Sequence, residues 1–426
     1  METEKITGQV AFLFKKEIKN ILSLKKAMEG TFSKTISETM EALMGGSINL
    51  DASDVHIEPE GKRIKIRIRI DGVLQEVVDV DEKVYKGLLS RIKLLSGIKL
   101  NITDRAQDGR FSVILEKTPI EVRVATIPTE YGESLVMRLL NPKNLIDLEE
   151  LGLRKDLLEV LKEEIEKTTG MIIVTGPTGS GKTTTLYASL EKIKNPGIKI
   201  ITIEDPIEYK LEGITQTQVE PAKGYTFANG LKAIVRQDPD VILVGEIRDG
   251  ETANIAIQAA LTGHLVLSTL HTNDAAGTIA RLVNLEVKPY DIGPALNMTV
   301  AQRLIRKVCK KCKRMREASE EELEKFKKFL GSLPAGIEIP KIEKGLKLAQ
   351  AVGCEDCNFT GFRGRSGIFE VILFDSEMEK FILKEQSIAA LREKAKEKGM
   401  ITMYQDGLIK VLNGMSTIEE VERVVS

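Results

Sequence analysis

A glycine-rich segment in the middle of the chain lies between a short apolar stretch and a stretch with helical character. It reads Gly176-Pro177-Thr178-Gly179-Ser180-Gly181-Lys182-Thr183 and matches the pattern G-x-x-x-x-G-K-[ST]. Residues 171–175 before it are apolar and predict a buried strand. Glycines let main-chain N–H groups wrap around a phosphate without side-chain clashes, and a helix N-terminus attracts the anion. The segment predicts a phosphate-binding loop at the edge of a parallel α/β sheet, and a chance strand–turn–helix match is the alternative.

In a loop of this kind each side chain has an expected role. Lys182 should reach the β- and γ-phosphates of ATP, and the Thr183 hydroxyl should bind Mg²⁺. The predicted nucleotide contacts are Gly176, Pro177, Thr178, Gly179, Ser180, Gly181, Lys182, Thr183 and Thr184.

Acidic residues follow two other predicted strands of the same region. Glu204 ends the strand predicted over 198–203, and Glu246 follows the strand predicted over 241–244. Ligands of open parallel sheets bind beyond the carboxyl ends of the strands, and a carboxylate there can orient or deprotonate a water molecule. The sequence predicts that Glu204 or Glu246 does so, without deciding between them.

Two histidines bracket the strand predicted over 265–270. His264 and His271 are seven residues apart, so about 23 Å of extended strand separates them and they cannot share a metal ion. For His271 the two interpretations are a structural role and γ-phosphate sensing at the end of the strand.

All four cysteines of the chain belong to two C-x-x-C pairs. The pairs are Cys309 with Cys312 and Cys354 with Cys357. Tetrahedral Zn²⁺ binds four thiolates, and each pair supplies two of them. The favoured interpretation is a structural zinc site with an insert between the pairs, and dithiol redox chemistry is the alternative.

A basic segment surrounds the first cysteine pair. Residues 303–316 read RLIRKVCKKCKRMR, which indicates either a solvated face or a surface for an acidic protein, an anionic lipid or nucleic acid. The formal net charge of the chain is −1, and no aromatic residues interleave with these charges. Both observations argue against a nucleic-acid partner.

The N-terminal third has a different pattern. Residues 64–70 alternate apolar and basic at period two, which predicts a half-buried strand. A turn at Asp71-Gly72 leads to a returning strand over 73–78, and further strands are predicted over 111–115, 120–125 and 134–140. A helix is predicted from Ser37 to Met44, ending at Gly45-Gly46.

Residues 1–33 have a helical pattern whose apolar positions include Phe12, Phe14 and Ile18. A docking or oligomer-contact helix is the favoured interpretation, and a membrane-surface helix is the alternative. The sequence shows neither a secretory signal nor a stretch of about 18 apolar residues, so a reducing compartment is expected.

Taken together, these motifs resemble those of the type II/type IV secretion-system ATPases over roughly residues 34–424. Residues 201–209 are similar to the family's aspartate box, and residues 236–249 to its atypical Walker B segment. Residues 261–273 are similar to its histidine box. The four cysteines resemble the tetracysteine zinc site of the assembly and export branch, which the pilus-retraction branch usually lacks.

The resemblance implies a RecA-like P-loop NTPase core, preceded by a small PAS-like α+β domain and carrying a zinc-binding insert. It implies ATP, Mg²⁺ and Zn²⁺ as cofactors, and a homo-hexamer at the cytoplasmic face of the inner membrane, where a polytopic platform protein is the partner. It also implies that Arg110 and Arg123, and more weakly Arg138, reach nucleotide phosphates when the domains close.

The expected domains are residues 1–33, 34–141 and 142–426. The last includes a zinc module over 303–360 and a helical part over 376–426.

The expected function is an ATP-driven motor for pilus or pseudopilus assembly or protein export, with no nucleic-acid partner. Two alternatives stay open, namely a DNA-translocating RecA-like ATPase and a nucleotide-gated scaffold that does not hydrolyse ATP. Longer members of the family carry a further docking domain before the shared region. In this sequence, residues 1–33 stand at that place.

Overall fold

The computed structural model of the protein describes residues 18–61, 63–115, 118–331, 333–334 and 336–425. They form two compact units. The first contains the described residues up to Asn144, together with Cys309–Lys313 and Ala351–Arg363. The second contains Leu145–Val308, Arg314–Gln350 and the described residues from Gly364 onwards. Phe12 and Phe14 of the predicted N-terminal helix lie outside the described residues.

The first unit is built around a six-stranded antiparallel sheet. Its helices are α1 (Ile21–Glu29), α2 (Ile36–Asn49) and α3 (Glu82–Leu95). Its strands are β1 (Asp54–Glu60), β2 (Arg63–Ile70), β3 (Val73–Val80), β4 (Gln107–Leu115), β5 (Thr118–Thr129) and β6 (Gly132–Leu140). The strand order is β3-β2-β1-β6-β5-β4. The strands predicted from the sequence are all present, and most extend beyond their predicted ends.

One face of this sheet forms the core of the unit. In β2 the isoleucines at 64, 66 and 68 are buried and the basic residues between them face outwards, as the period-two pattern requires. The predicted end of α2 at Gly45-Gly46 is wrong, because the helix continues to Asn49. A Cβ atom at Gly46 would lie 2.5 Å from Cδ1 of Leu24, so glycine here permits close packing of α1 rather than ending the helix.

The second unit contains a seven-stranded sheet. Its further strands are β7 (Gly170–Thr175), β8 (Ile200–Glu204), β9 (Thr215–Gln218), β10 (Val241–Val244), β11 (Leu265–Leu270), β12 (Leu296–Val308) and β15 (Phe362–Leu373), the last of which begins in the second cysteine segment. The order is β15-β12-β7-β11-β10-β8-β9. A separate two-stranded sheet pairs β13 (Arg314–Glu317) with β14 (Lys347–Gln350).

Helices connect and cover these strands. They are α4 (Lys155–Ile165), α5 (Lys182–Ile193), α6 (Phe227–Val235), α7 (Gly250–Leu261), α8 (Gly277–Asn284), α9 (Pro289–Ala295), α10 (Glu320–Leu330), α11 (Ser376–Lys384), α12 (Ile388–Glu397), α13 (Met403–Leu412) and α14 (Ile418–Val425). In the described part of the chain, each helix is too short or too polar to cross a bilayer.

The middle of the large sheet is parallel. Strand β7 pairs in parallel with β11 and β12, and β10 pairs in parallel with β8 and β11. Every residue of β7, β8, β10 and β11 is buried, which is typical of strands covered on both faces. The predicted α/β fold with a parallel sheet is therefore confirmed, and the carboxyl ends of four strands meet along one edge.

Candidate nucleotide and metal sites

The glycine-rich loop connects the carboxyl end of β7 to α5 at this edge. Gly176, Gly179 and Gly181 have φ values of 150°, 80° and 91°, which side chains with a Cβ atom rarely adopt. At Gly176 a Cβ atom would also lie 2.5 Å from the carbonyl oxygen of Gln302. Gly181 precedes α5 directly, so the free N–H groups of that helix open onto the loop. The loop has the geometry of a phosphate cradle.

The Lys182 ammonium lies inside this loop. It donates to the carbonyl oxygens of Gly176 at 2.8 Å and Pro177 at 3.2 Å. Burial lowers the pKa of Lys182, the charge of Glu246 opposes this shift, and the charge of Arg303 adds to it. An anion bound in the loop would therefore offset the desolvation free energy of the partly buried Lys182 ammonium.

Ser180 provides a test of whether the loop fits a bound phosphate. Its hydroxyl is buried and has no hydrogen-bond partner among the described residues. A buried hydroxyl without a partner costs free energy, which a phosphate oxygen accepting its hydrogen bond would recover. Thr183, in contrast, is exposed at the first turn of α5, as binding of Mg²⁺ requires. The residues present therefore fit a nucleotide with its metal ion.

Glu246 and His271 approach each other at the same edge. Nε2 of His271 lies 3.4 Å from Oε2 of Glu246, and Arg248 forms an ion pair with the other carboxylate oxygen. The charge of Glu246 also acts on Lys182, whose pKa it raises against the effect of burial. Sequence reasoning missed Arg248, although the residue lies within the motif GEIRD.

Glu204 has a different environment. Its side chain is buried and accepts hydrogen bonds from Tyr187, from Thr202 at 2.6 Å and from Gln216 at 3.3 Å. Burial raises the pKa of Glu204, and these hydrogen bonds oppose the shift. Thr202 lies on the same strand as Glu204, whereas Tyr187 on α5 and Gln216 on β9 come from other segments and carried no signal in the local sequence pattern. Of the two predicted carboxylates, Glu246 is the one whose charge acts on the pKa of Lys182.

His264 lies away from this edge. Its Nδ1 atom is 3.0 Å from the carbonyl oxygen of Ala259, near the end of α7. Its own carbonyl accepts a hydrogen bond from Gly170 at the start of β7. These contacts connect the end of α7 to the start of β7 through His264.

The arginines implied by the resemblance form one row across the sheet of the first unit. Arg110 pairs with Arg123 across β4 and β5, and Arg123 pairs with Arg138 across β5 and β6. The row continues through Asp54 to Arg69. Residues directly opposite each other on neighbouring strands share a face, and like charges in such positions repel. This row would be stabilised by an anion.

Asp54 neutralises only one end of the row. Its carboxylate accepts from Nε of Arg138 at 3.1 Å and pairs with Nε of Arg69 at 3.3 Å. Arg123 contacts Glu121 at 3.5 Å, and Arg110 is exposed at the other end. The exposed end is therefore the more available for an external phosphate.

The four cysteines come together in the first unit. Their sulfur atoms all lie within 4.8 Å of one another, and none forms a disulfide. The separations are 3.9 Å between Cys309 and Cys354 and 3.8 Å between Cys312 and Cys357. Four thiolates bound tetrahedrally to Zn²⁺ at about 2.3 Å lie about 3.8 Å apart. The donor set and its spacing therefore fit zinc.

A hydrogen bond joins this cluster to the first helix. Asn358 directly follows Cys357 and has a left-handed backbone, with φ of 52°. Its side-chain oxygen accepts from the N–H group of Ile21 at 2.7 Å. The first N–H groups of a helix lack partners within it, so Asn358 satisfies one of them.

Ion pairs neutralise part of the basic segment. Arg306 donates to both carboxylate oxygens of Glu420, Arg316 pairs with Glu322, and Lys311 pairs with Asp356 at 2.7 Å. These three cations of the segment therefore have a structural role, as partners of carboxylates within the protein.

Glu420 allows a test of this structural role. Burial opposes ionisation, but hydrogen bonds from Arg423 and Arg306 outweigh it and lower the pKa of Glu420 to about 2, from 4.5. The stabilisation is therefore present above pH 4.5 and is lost as the pH falls through about 2. We expect Glu420→Gln to lower the free energy of unfolding at pH 7 by about 2–3 kcal/mol. Urea unfolding from pH 7 downwards should show the difference shrinking below about pH 4.5, and Glu419→Gln serves as the exposed control.

The sequence matches the family described as Type II/IV secretion system protein over residues 30–423. It is 44% identical over 400 residues to the type II secretion system protein E of Dickeya dadantii, covering 93% of this chain and 77% of the relative. It is also 44% identical over 372 residues to the type IV pilus assembly ATPase PilB of Thermus thermophilus, covering 87% of this chain and 41% of that relative.

Solved structures share the fold. The pilus retraction motor PilT, solved with bound ADP, aligns with a TM-score of 0.58 at 25% identity, covering 90% of this chain and 96% of that one. The ATPase DotB of Legionella pneumophila aligns with a TM-score of 0.65 at 21% identity, covering 90% of this chain and 94% of that one. At this identity the DotB similarity concerns the fold alone.

Proposed function

The chain belongs to the type II/IV secretion system protein family, and from this premise we propose that it is an ATP-hydrolysing motor. The motor would power pilus or pseudopilus assembly, or protein export, as a homo-hexamer at the cytoplasmic face of the inner membrane. The observation that carries the proposal is the loop in which Lys182 and the unpartnered Ser180 hydroxyl surround the place for a phosphate.

The residues of this loop suit attack of water on the γ-phosphorus. Lys182 and the N–H groups at the start of α5 would bind the β- and γ-phosphates and offset the charge that develops there. Thr183 would hold Mg²⁺, which when bound withdraws charge from the phosphate oxygens.

A carboxylate would position the attacking water. The charge of Glu246 acts on Lys182 and its carboxylate contacts His271, so it would hold a water molecule at the phosphate, next to the imidazole. Glu204 has a raised pKa, which favours acceptance of a proton, but its carboxylate would have to leave the hydrogen bonds with Tyr187 and Thr202.

The arginine row suggests how hydrolysis would be coupled to movement. Arginines supplied by a mobile unit offset transition-state charge only when that unit closes on the nucleotide. Arg110 and Arg123 would do so, because the repulsion along their row favours an anionic partner.

Replacing Arg110 by alanine tests this coupling. We expect nucleotide affinity to change less than threefold while kcat falls by roughly tenfold or more, because the arginine acts mainly in the transition state. Turnover and equilibrium binding would be measured on the full chain, with exposed Arg105→Ala as the control. Equal losses of binding and turnover would contradict the assignment.

The cysteine cluster supports the assembly and export branch of the family over retraction. A zinc ion there would hold the segments Cys309–Lys313 and Ala351–Arg363 as one rigid element. In the proposed motor, this element would contact the platform protein and would take no part in hydrolysis.

Phosphate release by the full-length protein with ATP and Mg²⁺ tests the motor function. We expect Glu246→Gln and Glu204→Gln each to lower kcat, by up to roughly a hundredfold, because an amide cannot accept a proton. The variant with the larger loss identifies the principal base. Unchanged turnover in both variants would contradict the catalytic assignment, and stimulation by DNA would favour the DNA-translocating alternative.

A further inference from the structure

Arg303 lies on β12, beside the phosphate loop. A Cβ atom placed at Gly176 would lie 3.2 Å from its Nη1 atom and 2.6 Å from Oγ of Ser180. Lys182 donates to the carbonyl oxygen of the same glycine. Two cationic groups and an unpartnered buried hydroxyl therefore converge around Gly176.

The contacts of Arg303 leave its charge unneutralised. In the described part of the chain, its guanidinium donates to the main-chain carbonyls of Gln302 and Asn273, each at 3.3 Å, and to the side-chain oxygen of Asn273 at 3.5 Å. These acceptors are neutral. Burial lowers the pKa of Arg303, although the charges of Asp274 and Glu370 oppose this.

Both of these carboxylates are engaged elsewhere. Asp274 forms an ion pair with Arg392, and Glu370 accepts a hydrogen bond from the N–H group of Ala275 at 3.1 Å. A half-buried guanidinium without a carboxylate partner, next to a second cation, is stabilised by a ligand anion.

We propose that Arg303 binds the phosphate chain of the nucleotide held by its own chain, together with Lys182 and the Ser180 hydroxyl. The inference rests on the proposed function and adds a ligand-binding residue to that site. The guanidinium reaches Asn273, three residues beyond β11, so it spans from β12 across the start of the loop to the segment that carries His271. The planar guanidinium can donate two parallel hydrogen bonds to the oxygens of a phosphate, whereas a main-chain carbonyl offers it a single acceptor oxygen.

The test compares Arg303→Gln with Lys307→Gln, an exposed cation on the same strand. The affinities of the full-length chain for AMP-PNP with Mg²⁺ and for ADP would be measured by titration calorimetry. We expect Arg303→Gln to weaken AMP-PNP binding roughly tenfold or more, and Lys307→Gln to leave both affinities unchanged. A larger loss for AMP-PNP than for ADP places Arg303 at the terminal phosphate, and equal losses with an unchanged melting temperature place it at a phosphate common to both. Either result supports the proposal.

Affinities of Arg303→Gln within twofold of the wild type would overturn it. If Arg303→Gln melts at a lower temperature, the variant Asn273→Ala separates a structural role of Arg303 from phosphate binding. It removes the side-chain acceptor of Arg303 and keeps the guanidinium. Equal losses of affinity in these two variants would assign Arg303 a structural role, whereas retained affinity in Asn273→Ala supports phosphate binding. A wild-type chain that binds neither nucleotide would instead refute the proposed function itself.

Discussion

Replacing Lys182 by glutamine is expected to lower ATP hydrolysis by at least roughly a hundredfold. The ammonium lies within the loop and, with a nucleotide present, would exchange the carbonyls of Gly176 and Pro177 for phosphate oxygens. Removal of one preorganised donor to a developing negative charge typically costs about a hundredfold to a thousandfold in turnover. Glutamine can keep a hydrogen bond to a carbonyl but supplies no positive charge. Phosphate release at saturating ATP measures the effect.

The matched control is Lys192→Gln. Lys192 lies on the same helix as Lys182, is partly exposed and pairs with Glu149 at 3.2 Å. Its replacement should leave turnover within twofold of the wild type. If Lys182→Gln retained a third or more of wild-type turnover while melting normally, the loop would not be the site of hydrolysis.

The second large effect concerns the cysteine cluster. The double variant Cys309→Ser/Cys312→Ser is expected to lose about one zinc ion per chain, because two thiolates cannot complete a tetrahedral site. Zinc bound by four thiolates contributes on the order of 10 kcal/mol to the folding of small zinc modules, so the segment Ala351–Arg363 should lose its protection from proteolysis. Elemental analysis and limited proteolysis measure the two effects.

Lys310→Gln, an exposed change between the two cysteines, is the control and should retain the metal. Metal retained at one ion per chain in the double variant would refute the zinc assignment. A wild-type protein that contains no metal but forms disulfides reversibly would favour the redox alternative instead.

Local patterns in the sequence predicted much of the fold. The alternation in β2 and the apolar strands before Glu204 and Glu246 each depend on neighbouring residues only, and the structure has strands at these places. The same holds for the loop glycines, whose positive φ values follow from local chain geometry. The end of α2 could not be predicted this way, because Gly46 is required by Leu24 from another helix.

Within the site, residue types were predictable and their surroundings were not. The sequence indicated Glu204 and Glu246 equally, since both follow buried strands. Their difference comes from Tyr187 and Gln216, which approach Glu204 from other segments. Arg303 could not be distinguished from the other cations of its basic segment, because its position beside Gly176 results from the pairing of distant strands. Pairings between remote segments carry no short-range signal.

The hydrogen bond between Ile21 and Asn358 joins residues 337 positions apart in the chain. A ribosome adds about 5–20 residues per second, so roughly 20 to 70 s pass between synthesis of the first partner and of the second. During that interval the N–H group of Ile21, at the start of α1, lacks the side-chain oxygen of Asn358 as its acceptor. This contact can therefore form only well after α1 has been synthesised.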